Sequence, residues 1–240
     1  MAIAYRGKGL ILNTSATDNT PLPMPAGTAE GDRLVAVVGT ILPTSTITPP
    51  AGWQLVSQYA PTNNMRTAVY TRTATATDKD TTYTWGWSGF ARNFGYCLAY
   101  SGVDASVATS AQATYAQQSQ AAPIATPALG LASGDWLLTF AVGRENPGTD
   151  TPKQWTNSDG QDVERFDLFT ANASPQIKLS AALWDSGRPL PGGSAQRTLT
   201  PAPVMALAHV WSVRLAAPEG DTVPPPAAGD PWTYFGMPLR

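Results

Sequence analysis

The sequence has very little cysteine and little charge, and each shortage argues against a class of protein. Cys97 is the one cysteine among 240 residues, so no disulfide can form within the chain, and we expect a buried free thiol. Only 13% of residues are charged, with 15 Lys and Arg against 17 Asp and Glu. Binding to phosphates needs a concentrated basic face. We therefore expect no nucleic-acid partner.

Long apolar runs are also missing. The longest, Leu34 to Leu42, has about half of the ~20 residues that a membrane-spanning helix needs. Arg6 and Lys8 lie where a signal peptide would have its apolar segment. The sequence therefore predicts a soluble protein that is made in a cytoplasm, without a signal peptide and without a membrane partner.

Histidine is as scarce as cysteine, which limits the available catalytic mechanisms. His209 is the only histidine, so a Ser–His–Asp or Cys–His mechanism would have to use it. His209 lies in an apolar run, where a strand would place it on the same face as Leu207 and Trp211. This pattern favours a packed, hydrogen-bonded histidine over a base or a metal ligand. We expect no enzyme, no catalytic residue and no cofactor.

Two groups of carboxylates are candidates for metal or sugar sites: Asp78 and Asp80, and then Asp159, Asp162, Glu164 and Asp167. Calcium needs several oxygens that converge from one loop, and glycoside hydrolysis needs two carboxylates opposed across a sugar. The first pair fits a hairpin turn. The second group lacks the spacing of a calcium loop, so we expect solvated turn acids and no metal site.

Alternating residues define the strands, and the clearest strand is FGYCLAYSGVD, residues 94–104. Tyr96, Leu98 and Tyr100 fall on one face, whereas Cys97 and Ala99 fall on the other. A face of large residues and a face of small ones predict a central strand that is covered on both sides. About eleven short strands, with Gly and Pro turns between them and no helical period, predict an all-β antiparallel sandwich or jelly roll.

The second part of the chain repeats features of the first. Gly134–Asp135 precedes the apolar run WLLTFAV, as Gly31–Asp32 precedes RLVAVV. Weaker matches relate MRTAVYTRTA to PQIKLSAALWDSG and FGYCLAYSGV to VMALAHVWSVRL. We expect one sandwich domain over residues 1–216, made of two similar halves at about 1–104 and 105–216. A turn like TPPAGW is missing from the second half near Asp159–Gly160.

Residues 217–240 differ from the rest of the chain and are predicted to form an extended C-terminal tail. AAPEGDTVPPPAAGD has the proline content of an extended linker. Five large apolar or aromatic residues follow within PWTYFGMPLR, and side chains of these types are enriched at protein interfaces. The predicted docking residues are Trp232, Tyr234, Phe235, Met237 and Leu239. Docking on a neighbouring subunit is favoured over packing back onto the same sandwich.

An ordered set of motifs carries a family resemblance: PAGTAEGDRLVAVV, then TPPAGWQLV, then RTATATDKDTTYTW, then AYSGVD. This order resembles a β-sandwich found widely in virion proteins of tailed bacteriophages, of the minor tail or minor structural type. The resemblance covers roughly residues 1–216. It implies a structural component of the virion, a minor tail protein or a head decoration protein. Its partners would be other virion proteins and copies of itself.

Eight Trp and eight Tyr leave a second function open. Exposed aromatic rings beside polar groups can stack on sugars, so the alternative is a carbohydrate-binding adhesin that contacts a glycan on a bacterial surface. Most of these aromatic residues fall at alternating strand positions, however, where packing into a core is expected.

Overall fold

Antiparallel strands make up the regular structure of the chain. The computed structural model describes residues 2–13, 15–61, 65–117, 122–145, 154–169, 178–202 and 206–220, and these residues contain no helix. Their strands are β1 (Ala4–Leu12), β2 (Thr17–Pro23), β3 (Arg33–Thr40), β4 (Ile47–Thr48), β5 (Gln54–Tyr59), β6 (Arg66–Thr73), β7 (Thr82–Ala91), β8 (Asn93–Ser101), β9 (Ser110–Gln117), β10 (Ile124–Ala125), β11 (Leu129–Leu131), β12 (Trp136–Glu145), β13 (Gln154–Asn157), β14 (Val163–Phe169), β15 (Lys178–Asp185), β16 (Gly193–Ala195), β17 (Thr198–Ala202) and β18 (Leu207–Leu215). The all-β prediction is confirmed.

Two five-stranded sheets have the same topology. The first has the order β1-β8-β3-β6-β5, and the second, counted from its other edge, has the order β9-β18-β12-β15-β14. When only the five strands of each sheet are numbered in chain order, both sheets have the order 1-5-2-4-3. The similar halves that the motifs predicted are therefore present. Every strand of the first sheet comes before Asp104, and every strand of the second comes after it.

The same turn leads into the central strand of each sheet. Before β3, Gly31 has φ 86° and the buried Asp32 carboxylate accepts a hydrogen bond from the Ala29 N–H at 2.9 Å. Before β12, Gly134 has φ 97° and the Asp135 carboxylate accepts one from the Ala132 N–H at 2.6 Å. Positive φ favours glycine. A shared Gly-Asp pair thus marks one turn used twice.

One hydrophobic core lies between the two five-stranded sheets. Alternate residues of each central strand enter this core, including Val35 and Val37 from β3 and Leu138 and Phe140 from β12. The large face of β8 also enters this core, where the Tyr96 ring lies 5.0 Å from that of Phe166. The two halves therefore pack face to face and share their largest core.

Smaller sheets cover the outer faces and complete four layers. The sheet β2-β7-β4 covers the first five-stranded sheet over a core that includes Leu34, Trp85 and Cys97. The sheet β10-β17-β13 and the pair β11-β16 cover the second, over cores that include Trp155 and Leu137. The outer sheet β2-β7-β4, together with the shared core on the other side, explains why β3 and β8 are buried on both faces.

The turn TPPAGW has no matching motif in the second half of the sequence, but the structure contains an equivalent turn there. The Trp53 N–H donates to the Pro50 carbonyl just before β5, and the Asp162 N–H donates to the Asp159 carbonyl just before β14. Trp53 packs against Trp85 in its core, whereas Asp162 forms a buried ion pair with Arg197. The two halves use the same turn but fill the position after it with different chemistry.

Three local expectations are corrected by the structure. The strands are more numerous than the eleven expected, because bridges of two to four residues such as β4 and β13 carry no periodicity. The segment with Asp78 and Asp80 is no hairpin, since it joins β6 and β7, which lie in different sheets. Asp162 is buried and paired, so it is not a solvated turn acid.

Candidate functional site

A cleft of about 430 Å³ lies beside β5, an edge strand of the first five-stranded sheet, next to the segment that joins the halves. Its size falls in the range of small-molecule sites. It is lined by Arg33, Gln54, Leu55, Val56, Thr71 and residues 105–109. The lining therefore combines one cation, several hydroxyl and amide groups, and an apolar wall.

Arg33 is the charged group of this cleft. It begins the central strand β3 and is only 8% exposed. Its Nη2 donates to the Asp104 carbonyl at 3.4 Å, while its Nε has no acceptor among the described residues. Burial lowers the pKa of Arg33, an effect that the charge of Asp104 opposes. A guanidinium still stays protonated in a protein. Arg33 is thus a buried cation with an unsatisfied donor.

The Asp104 carboxylate binds Ser106 and does not bind Arg33. Asp104 accepts hydrogen bonds from the Ser106 hydroxyl at 2.6 Å and from the Ser106 N–H at 2.8 Å. These bonds lower the pKa of Asp104. Within the described part of the chain, Arg33 makes no ion pair. The cleft therefore offers a guanidinium with which no carboxylate of the described chain forms an ion pair.

The corresponding position in the second half is filled by a cluster of side chains. Arg165 lies in the β14 bulge as Val56 lies in the β5 bulge, and Asp185 holds the register position on β15 that Thr71 holds on β6. Trp136 follows Asp135 as Arg33 follows Asp32. A cleft in one half is thus equivalent to a packed cluster in the other.

Hydrogen bonds hold that second cluster together. The Arg165 guanidinium donates to both oxygens of Asp185, at 2.7 and 2.8 Å, and its Cζ lies 4.0 Å from the centre of the Tyr5 ring. The Tyr100 hydroxyl also donates to Asp185 at 2.8 Å. Burial lowers the pKa of Arg165, but the hydrogen bonds and charge of Asp185 outweigh it, so that the pKa is raised overall. In the second half, the protein itself therefore supplies both members of the ion pair, Arg165 and Asp185.

The other buried carboxylates support turns. Asp78 accepts from the Thr75 N–H at 2.6 Å and from the Arg72 Nε at 3.2 Å, and Tyr83 also donates to it. Asp135 binds the Arg214 Nε at 2.6 Å. In the described residues, no group of three or more His, Cys, Asp or Glu side chains is placed to hold a metal ion.

The single histidine and the single cysteine lie in cores. His209 is fully buried, its Nδ1 lies 3.0 Å from the Thr67 hydroxyl, and burial lowers its pKa to about 4. The packed, hydrogen-bonded histidine is confirmed. Cys97 is free and fully buried on the outer face of β8, which confirms the buried thiol; burial raises its pKa.

The predicted sugar platform is not formed by the tryptophans that the structure describes, since each of them is at most 7% exposed: Trp53, Trp85, Trp87, Trp136, Trp155, Trp184 and Trp211. The eighth, Trp232, belongs to the predicted docking set. That set, Trp232, Tyr234, Phe235, Met237 and Leu239, lies outside the described residues. The cleft contains none of the residues selected as site candidates from the sequence.

Arg33 could have been noticed in the sequence as the one charged residue in an apolar strand. The sequence could not show that Arg33 lacks an ion-pair partner, because this depends on where residues 105–109 pass β5. The described residues also include no helix that is long and apolar enough to span a membrane.

Comparisons with known proteins returned no relative: no protein-family model, no curated protein and no solved structure matches this chain.

Proposed function

We propose that this protein is a structural component of a tailed-phage virion, a minor tail protein or a head decoration protein. The observation that carries the proposal is the place of the resembling motifs in the fold. PAGTAEGD forms the turn before β3, TPPAGW forms the turn before β5, and AYSGVD ends β8. These motifs belong to one sandwich, and the chain repeats the topology of that sandwich back to back.

The packing suits a structural role in a particle. A continuous core joins the two five-stranded sheets, and an outer layer covers each of them. The buried carboxylates described above bind arginines and turn N–H groups, so they fix loops to the sandwich. A scaffold of this kind presents a rigid surface to its neighbours, which a component of a particle needs.

Attachment is assigned to the tail, residues 217–240. The Asp104 N–H donates to the Ala216 carbonyl at 2.9 Å, and the Ala217 N–H donates to Asp135 at 3.0 Å. The start of the tail is therefore held near the segment that joins the halves. The aromatic residues that follow supply the interface chemistry expected for docking on another virion protein or another copy. The carbohydrate-binding alternative receives no support from the described tryptophans, which are buried.

Quantitative mass spectrometry of purified particles tests the proposal. We expect the full chain to co-purify with the particle at a fixed ratio to its major proteins. Deleting residues 218–240 should leave the melting temperature nearly unchanged but prevent incorporation. Phe90→Ala is the matched control, because Phe90 is an exposed aromatic residue, 74% accessible, outside the tail, and this variant should assemble normally. Recovery of the full chain only outside particles would overturn the proposal.

A further inference from the structure

The position equivalent to the Arg33 cleft is closed in the second half by an arginine and a carboxylate from the chain itself. Asp185 supplies the carboxylate there, and Arg165 binds both of its oxygens. In the first half, Thr71 holds the register position of Asp185, so the carboxylate is missing. Arg33 nevertheless places a guanidinium in this region. The first half thus has a guanidinium in this region, that of Arg33, but no carboxylate at the position equivalent to Asp185.

A buried arginine whose donor lacks an acceptor is a costly arrangement. A buried donor without an acceptor has lost its hydrogen bond to water and gained none in exchange, and this loss is larger for a charged group. Among the described residues, the Arg33 guanidinium makes one hydrogen bond, to the Asp104 carbonyl, at the long distance of 3.4 Å. The charge of Asp104 favours the protonated guanidinium, but the Asp104 carboxylate accepts its hydrogen bonds from Ser106 and supplies none to Arg33. A ligand that brings an anionic oxygen to Arg33 would remove this penalty.

The rest of the lining indicates which anion fits. The lining of the cleft contains one cation, Arg33. A phosphate dianion normally needs several donors or a second positive charge. Leu55, Val56 and Val107 form an apolar wall, whereas Gln54 and Thr71 add polar groups. A single negative charge attached to an apolar body matches this set.

The volume sets the size of the ligand. At about 430 Å³, the cleft lies toward the lower end of the range of about 300–1,000 Å³ that is typical of small-molecule sites. It can therefore take a small organic molecule. We propose that the cleft beside β5 binds a small organic monocarboxylate, with its carboxylate on Arg33 and its apolar part against Leu55 and Val56.

Nuclear magnetic resonance of the full ¹⁵N-labelled chain tests this proposal, with hexanoate as the probe. We expect saturable shifts of the Arg33 Nε–Hε signal and of the Ser106 and Val107 amides, with a dissociation constant in the millimolar range that is typical of a small fragment. Hexanamide has the same shape without the charge and should give shifts at least tenfold weaker at equal concentration. Inorganic phosphate should also bind more weakly than hexanoate.

Two variants and one control complete the experiment. Arg33→Gln should weaken hexanoate binding at least tenfold. Leu55→Glu changes a half-exposed side chain at the rim, 54% accessible, so it should fold normally and weaken binding by charge repulsion. Lys79→Gln removes an exposed positive charge from the β6–β7 connection and should change nothing. Equal binding of hexanamide, tighter binding of phosphate, or unchanged binding by Leu55→Glu would each overturn the proposal.

Discussion

Replacing Asp135 with alanine should destabilise the protein much more than the same replacement at Asp32. The two carboxylates hold the same turn in the two halves, but they differ in their other partners. Asp135 accepts from the Ala132 N–H at 2.6 Å, from the Ala217 N–H at 3.0 Å and from the Arg214 Nε at 2.6 Å. Asp32 accepts from the Ala29 N–H at 2.9 Å, and its distance to Arg6 is 3.7 Å.

The expected magnitudes follow from these partners. Removing one member of a buried ion pair costs about 3–5 kcal/mol. Because the Arg214 side chain is 25% exposed, we take about 4 kcal/mol for Asp135→Ala, including its two N–H bonds. The Arg6 side chain is 46% exposed, so its pair with Asp32 contributes little. Loss of the remaining N–H bond gives about 1.5 kcal/mol for Asp32→Ala.

Thermal unfolding followed by circular dichroism measures this difference. In a chain of this length, 1 kcal/mol corresponds to about 2–4 °C in melting temperature. Asp135→Ala should therefore lower the melting temperature by about 8–16 °C, and Asp32→Ala by about 3–6 °C. Equal effects of the two substitutions, or a larger effect at Asp32, would refute this account of the two turns.

Three further predictions concern single buried positions. Cys97 should resist thiol reagents in the native protein and react fully only in denaturant, because it is completely buried; rapid labelling without denaturant would contradict the assignment of the β8 faces. Burial raises the pKa of Asp167 to about 6, so its contribution to stability is present below the ordinary pKa near 4 and is lost as the pH rises through 6. Asp167→Asn should therefore raise the melting temperature at pH 8 relative to the native protein, but not at pH 3.5, since the amide oxygen can still accept from the Trp155 N–H; a gain that is the same at both pH values would exclude this cause. Gly39→Ala should destabilise by about 2–3 kcal/mol in urea unfolding, because the added Cβ would lie 2.2 Å from the Phe94 ring and 2.8 Å from the Arg66 carbonyl; an unchanged midpoint would show that β3 is less tightly packed than described.

The strand faces could be predicted because alternation reports burial directly. The large and small faces of β8 enter two different cores, as the sequence of residues 94–104 indicated. The repeated Gly-Asp turn could also be predicted, since positive φ and a capping carboxylate restrict residue choice strongly. These local constraints identified the two central strands, β3 and β12.

Features that depend on contacts between distant residues could not be predicted. Threonine is not a residue type that indicates burial, but the sheet of the other half covers Thr67, which meets His209 and Trp211 across the shared core. In the same way, the partner of Asp162 is Arg197, and neither residue type identifies the other in the sequence. The cleft is a further example, because it forms where residues 105–109 pass β5.

The packing of the two halves on one shared core underlies both the proposed scaffold and the cleft. Nuclear Overhauser contacts from the Tyr96 ring test it most directly, because Tyr96 belongs to the first half and its ring centre lies 5.0 Å from that of Phe166 and 5.8 Å from that of Phe140 in the second. Selective labelling of Tyr and Phe, with Phe166→Leu and Phe140→Leu to assign the signals, should give strong contacts from Tyr96 to both rings. A native protein in which Tyr96 shows contacts only to residues before Asp104 would contradict the account.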